Sequence, residues 1–146
     1  MNIPTKLKPF LRPTMIVTAD RVHAEFYHVK KRVVTKGTAL ENKHWGVDDV
    51  REYMTQAGGV LAGGFDEGIK DRAKATFFGE IADAVRSQLL DGEDIILVIA
   101  DAYKNELRDA LHVNLRARVS HVVPKDLMKE TVVALFEHIE RDLGWI

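Results

Sequence analysis

No cysteine occurs in the 146 residues, so disulfides, zinc–thiolate sites and thiol nucleophiles are excluded at once. Long apolar runs are missing too. The longest, Ile95 to Ala100, has strand length and falls far short of a bilayer span, so no membrane partner is expected. The lysines near the start are not followed by a continuous apolar core, which argues against a secretory signal and for a cytoplasmic protein. Neither charge sign dominates: with a formal net charge of -1, any nucleic-acid contact must come from a local basic patch. Proline is scarce as well, and three of the four, Pro4, Pro9 and Pro13, crowd the start. Proline at that density predicts an extended N-terminal arm over 1–13, carrying Lys6, Lys8 and Arg12, rather than a packed element.

What remains has the composition of a soluble globular chain, 46% hydrophobic and 29% charged, with length for one domain over 14–146. Three short strands are predicted first. "TMIVTA" runs to Asp20, "HAEFYHV" alternates Ala24 and Phe26 against Glu25 and Tyr27, and "RVVTK" follows a Lys30-Lys31 turn. Residues 38–68 then lose this pattern, apart from a possible helical turn around Val50 to Met54. A connection this long inside a compact domain is commonly functional or mobile.

The most regular stretch follows. Ile69, Ala73, Phe77, Ile81, Val85 and Leu89 recur every four residues, with Phe78 and Ala82 widening the stripe and Gly92 beyond its end, so a helix is predicted over 69–90. "DIILVIA" has the continuous apolarity of a central strand covered on both faces. "YKNELRDALHVNL" predicts a second helix, "RARVSHVV" a last strand ended by Pro124, and Val132, Leu135, Phe136, Ile139 and Leu143 a C-terminal helix. The order β-β-β-α-β-α-β-α predicts an α/β protein with a ribonuclease H-like mixed sheet and helices on its faces.

The stretch "AGGVLAGGFDEG" carries two glycine pairs, Gly58-Gly59 and Gly63-Gly64. A phosphate-binding loop would continue with Lys and Ser or Thr, but Phe65 and Asp66 stand there, and an acidic residue repels phosphate. A dinucleotide fingerprint fails because the glycines do not follow a strand in a βαβ unit. Asp20 and Asp101 each end a strand and could meet to hold magnesium in a nuclease, although aspartate at such positions also serves as a turn or cap. The six histidines show no zinc spacing, and neither a metal nor another cofactor is expected. Basic residues form two groups. Lys70, Arg72 and Lys74 lie at the helix start, and Arg116 and Arg118 are expected on one strand face near Lys104, Arg108, Lys125 and Lys129. Either group could neutralise RNA phosphates or form an ordinary solvated surface beside Glu106, Asp109 and Asp126. Trp45 and Phe65 suit base stacking or anchoring in a partner, or simple packing under the loop.

"MIVTADRVHAEFYHV" resembles the opening of bacterial relatives of the archaeal and eukaryotic peptide-chain release factors. "ILVIADAYKNELRDALHVNLRARVSHVVPKDL" is similar to the C-terminal half of the same group, including the short proteins labelled host attachment proteins. The shared pattern here is Leu111, His112, Leu115, Arg116, Ala117, Arg118 and Val119, then Lys125, Asp126 and Leu127. The resemblance spans about residues 14–143 and implies the fold of the release-factor middle domain. In those factors a Gly-Gly-Gln tip before the long helix promotes hydrolysis of peptidyl-tRNA. Here Val60 and Phe65 follow the glycine pairs, and Gln56 precedes its pair, so hydrolysis loses its most direct support. The related rescue factor Pelota also lacks the triplet yet works on ribosomes.

The resemblance therefore implies a non-hydrolytic ribosome- or tRNA-binding protein of rescue, quality control or hibernation. Gly58, Gly59, Gly63, Gly64 and Phe65 would form the reaching loop, with Lys70, Arg72, Lys74, Arg116 and Arg118 on phosphates. Two alternatives stand beside it. One is an enzyme, either a peptidyl-tRNA hydrolase with altered tip or a metal-dependent nuclease; the other is a homodimeric interaction module.

Overall fold

Strands that are apolar on both faces need cover on both sides, and the architecture supplies it. A computed structural model describes the backbone of residues 1–44 and 63–146, and the side chains of all of these except 63–67. Strands β1 (Phe10–Ala19), β2 (His23–Lys31), β3 (Val33–Lys36) and β4 (Leu40–Glu41) precede helix α1 (Gly63–Gln88). After it come β5 (Asp94–Val98), a 3-10 turn (Asp101–Tyr103), α2 (Lys104–Ala110), α3 (Val113–Arg116), β6 (Val119–Val123) and α4 (Val132–Asp142). The sheet order is β3-β2-β1-β5-β6, with the short β4 sharing the outer edge of β2 with β3. The first strands pair antiparallel, whereas β5 runs parallel to β1 and β6 parallel to β5. This is the mixed, ribonuclease H-like sheet that the element order predicts.

Alternation along the central strands divides the core in two. Met15, Val17, Ala19, Ala24, Phe26, Ile95, Leu97 and Ile99 face one way and pack with Phe77, Phe78, Ile81 and Val85 of α1 and Leu107 of α2. Ile16, Val29, Ile96, Val98 and Val123 face the other way and pack with Leu135, Phe136 and Ile139 of α4. Burying one such side chain completely stabilises the fold by about 1.5–3 kcal/mol, so these two layers dominate the balance. The four-residue stripe on α1 is buried as expected, with Phe77, Ile81 and Val85 wholly enclosed. Beyond the helix, Gly92 takes φ +80°, a left-handed turn that a side chain would oppose.

Several expectations need correction. Segment 1–13 is no unpacked arm: Ile3, Leu7 and Phe10 join the second core layer, and β1 begins at Phe10 rather than Thr14. The prolines leave few amides to pair, and the carbonyls find partners across the molecule. Arg32 donates through Nη1 to the carbonyls of Pro4 (2.9 Å) and Leu7 (2.7 Å), and the Lys8 amide donates to Oε1 of Glu140 at 2.6 Å. Glu140 itself is fully buried, and burial, only partly offset by the Lys8 amide and by Arg32 and Lys8, raises its pKa.

Helix α1 starts at Gly63, six residues before the predicted 69, and ends at Gln88. The predicted single helix after β5 is divided at Leu111 and His112, both extended. The His112 Nδ1 accepts the Asn114 amide at 3.4 Å to start α3. Finally, Arg116 and Arg118 do not share a strand face. Arg116 ends α3, and Arg118 lies in the turn before β6. The Arg116 guanidinium donates to the carbonyls of Asp109 (3.1 Å) and Leu111 (3.0 Å), closing the open end of α2, which alternation in the sequence cannot reveal.

Candidate nucleic-acid interface

Loops gather where parallel strands end, and open α/β sheets characteristically bind ligands there. At that end of β1, Asp20 Oδ1 accepts the amides of Val22 and His23, both at 2.7 Å, which fixes the turn into β2 and presents Arg21. Beyond β5, the 3-10 turn brings Tyr103 alongside. The Arg21 guanidinium carbon lies 5.7 Å from the Tyr103 ring centroid and Lys74 Nζ lies 4.9 Å from it, while Phe78 meets the ring edge-on at 6.3 Å. Cations over an aromatic face are attracted by its quadrupole, so two distant stretches of chain, the β1–β2 turn and α1, converge on one ring.

Buried Asn42 holds this assembly together. Its Nδ2 donates to the carbonyls of Arg21 (2.8 Å) and Ala73 (3.2 Å), tying the β1–β2 turn to α1, and its Oδ1 accepts the His44 amide. Lys74 is held as firmly, at 3.1 Å from Glu106 and 3.6 Å from Asp71. Partial burial works against its charge, but the Glu106 hydrogen bond and the Glu106 and Asp71 carboxylates outweigh this and raise its pKa.

The sequence-predicted residues are distributed unevenly. Lys70 and Arg72 are exposed on α1 in the same stretch of helix as Lys74. Gly63, Gly64 and Phe65 lie in the first turns of α1 rather than in a loop, and the Phe65 side chain is outside the described set. Gly58 and Gly59, Trp45, Gln56 and the turn at Val50 to Met54 lie outside the described residues. Arg118 is far from this assembly, since its Nη2 donates to the carbonyl of Glu93, before β5, whereas Tyr103 follows β5. Arg116 and Arg118 therefore lie at the opposite end of β5 from Lys70, Arg72 and Lys74, whereas Lys104 stays beside Tyr103, paired with Asp101.

The carboxylates proposed for a nuclease are engaged otherwise. Asp20 closes its turn, and Asp101 pairs with Lys104 at 2.7 Å. Among the described residues no three His, Cys, Asp or Glu side chains are grouped to hold a metal ion. Sequence reasoning missed Arg21 and Tyr103. The available signal was position, because Arg21 follows Asp20 just past β1, and Tyr103 follows Asp101-Ala102 in the turn beyond β5. No described helix is long and apolar enough to cross a membrane.

Comparison with solved structures relates this fold to an archaeal translation termination factor, aRF1, with a TM-score of 0.54 at 12% sequence identity. The likeness covers 90% of this chain and 39% of that one, so the chain spans about two fifths of the factor's length. At that identity the likeness is one of fold. No curated protein matches the sequence. A family's sequence model matches residues 15–139, which takes in the second half of β1, the remaining strands of the sheet, and α4 as far as Ile139. The chain therefore belongs to the family described as "Protein required for attachment to host cells".

Proposed function

We propose that the protein binds the ribosome or tRNA without hydrolysing peptidyl-tRNA, as a translation-associated factor of rescue, quality control or hibernation. The observation that carries this reading is the likeness to a termination factor, which extends over 90% of the chain. The contact surface in this reading is the start of α1 with the residues just before it. Arg72 and Lys70 meet phosphates, Phe65 with the glycines Gly58, Gly59, Gly63 and Gly64 approaches the partner closely, and Tyr103 with Arg21 forms the firm base behind them. Lys74 is a positioning residue, since its ammonium is held by Glu106 and Asp71. Arg116 and Arg118, tied to backbone carbonyls at the other end of β5, are at most peripheral to this contact. Val60 and Phe65 after the glycine pairs, where glutamine would stand, support binding without hydrolysis. Attachment to host cells names a phenotype and specifies no chemistry, whereas an RNA contact does. A ribosomal partner places the protein in the cytoplasm.

Co-sedimentation with ribosomes tests the proposal. Binding is expected at about 50 mM salt and to weaken steeply by about 200 mM, as counterion release requires. Peptidyl-tRNA added to the same mixture is expected to stay intact. Absence of salt-sensitive pelleting with vacant, translating and stalled ribosomes alike overturns the reading.

A further inference from the structure

At the other end of the sheet, strand β2 outruns the helix that covers it. Ala24 and Phe26 lie in the core layer under α1, and alternation carries the same face on to His28 and Lys30. Their partners across the β2–β3 hairpin are Thr35 and Val33, so four side chains share this uncovered strip. The turn after α1 walls it off with Leu90 and Glu93, and the cavity between measures about 570 Å³, within the range of small-ligand sites.

The polar groups in the cavity are organised. His28 Nδ1 lies 2.7 Å from Oε2 of Glu93, whose side chain is only 3% exposed. The other Glu93 oxygen accepts the Leu90 amide at 2.7 Å, and its carbonyl accepts from Arg118. This carboxylate, held by the Leu90 amide, orients the imidazole through Nδ1 and leaves Nε2 as the ring nitrogen facing a ligand. Lys30 and Lys31 line the same cavity, and Lys31 is held at φ +55° by the tight hairpin. Two apolar side chains flank it with little cover, Val33 at 57% and Leu90 at 58% exposure. Asp91 on the rim opposes an anion, but the two lysines outnumber it, and the Glu93 charge is directed into His28 and the Leu90 amide.

We propose that this cavity binds a phosphate monoester carried on a flat apolar body, the chemistry of a nucleotide. The phosphate oxygens take charge-assisted hydrogen bonds from Lys30 and Lys31 beside the His28 ring, and the body packs between Val33 and Leu90. The source is either a free nucleotide or the phosphorylated end of an RNA strand. The site is separate from the contact at the start of α1, so loss of ribosome binding leaves this proposal standing.

The test is calorimetric titration with adenosine monophosphate, inorganic phosphate, and a short RNA with and without a terminal phosphate, alongside NMR of the His28 ring. Adenosine monophosphate is expected to shift the His28 resonances and to bind more tightly than inorganic phosphate. Lys30→Ala is expected to weaken it about tenfold, and Leu90→Ala to weaken it without affecting inorganic phosphate. Both side chains are exposed, so their variants are expected to melt with wild-type cooperativity. Binding by the phosphorylated RNA alone supports the site with RNA as the source. Unmoved His28 resonances at millimolar concentrations of every probe overturn the proposal. So does binding that Lys30→Ala and Leu90→Ala leave unchanged, or equal affinity for the RNA with and without its phosphate.

Discussion

Where β1 and β5 finish, the positive charges are largely engaged within the chain: Lys74 with Glu106 and Asp71, Lys104 with Asp101, and both Lys74 and Arg21 against Tyr103. Where the same strands begin, Arg116 and Arg118 are engaged by carbonyls, but Lys30, Lys31 and His28 surround an open cavity. Both ends read alike in sequence, as lysines and arginines among acidic residues. The difference lies in whether a carboxylate stands beside each cation, three residues earlier as for Lys74 and Lys104 or on a neighbouring element as Glu106 does for Lys74. A basic cluster is therefore a weak sign of an anion site until its internal partners are known.

Breaking the hub of each end separates them. Glu93→Ala should have the largest effect, because it removes a buried partner of His28 and leaves the Leu90 amide without its acceptor. A loss of about 3 kcal/mol is expected in urea unfolding, with His28 ring resonances broadened or moved. A change below about 1 kcal/mol would show that Glu93 does not organise this end.

At the other end, Lys74→Ala should cost about 1 kcal/mol, the scale of a partly screened ion pair with a cation–aromatic contact. Arg72→Ala should leave the melting temperature near wild type but lower the slope of log affinity against log salt for ribosomes by about 1. If Lys74→Ala instead changes the salt slope and not stability, the assignment of the two residues is reversed.

The smallest expected effect concerns Glu140, which anchors the N-terminal segment. Its pKa in the fold is raised above the ordinary 4.5, chiefly by burial. The folded state thus binds this proton more tightly than the unfolded chain. The associated stability is fully present below the unfolded pKa and is lost as pH rises through the higher folded value. Wild type minus Glu140→Gln stability, followed by urea unfolding from about pH 4 upward, should fall with rising pH. A flat or rising difference would mean that Lys8 and Arg32 offset the burial completely.

Much of the architecture was readable because it follows from periodicity. The stripe Ile69, Ala73, Phe77, Ile81, Val85 is a local pattern with one low-energy solution, an amphipathic helix, and the run Ile95 to Ile99 suits only a strand covered on both faces. Boundaries were less readable, as at Leu111 and His112, where two extended residues break a helix whose apolar spacing continues across the break. The candidate interface was half readable. Lys70 and Arg72 announced themselves by position before the apolar stripe, but Tyr103 gained its role only from Arg21 and Lys74, which approach it from other elements.

Residues 1–13 mark the boundary between the two kinds of information. Each proline there removes a backbone donor, a local fact that residue chemistry settles without reference to the rest of the chain. Whether such a segment packs depends on what lies opposite it. Here Arg32 satisfies the carbonyls of Pro4 and Leu7, Glu140 satisfies the Lys8 amide, and the α4 face buries Leu7 and Phe10. Periodicity and backbone chemistry act between near neighbours, so they are written in the chain's order. Satisfaction of charges and carbonyls acts between groups far apart in sequence, and it takes effect only when the sheet brings them within bonding distance.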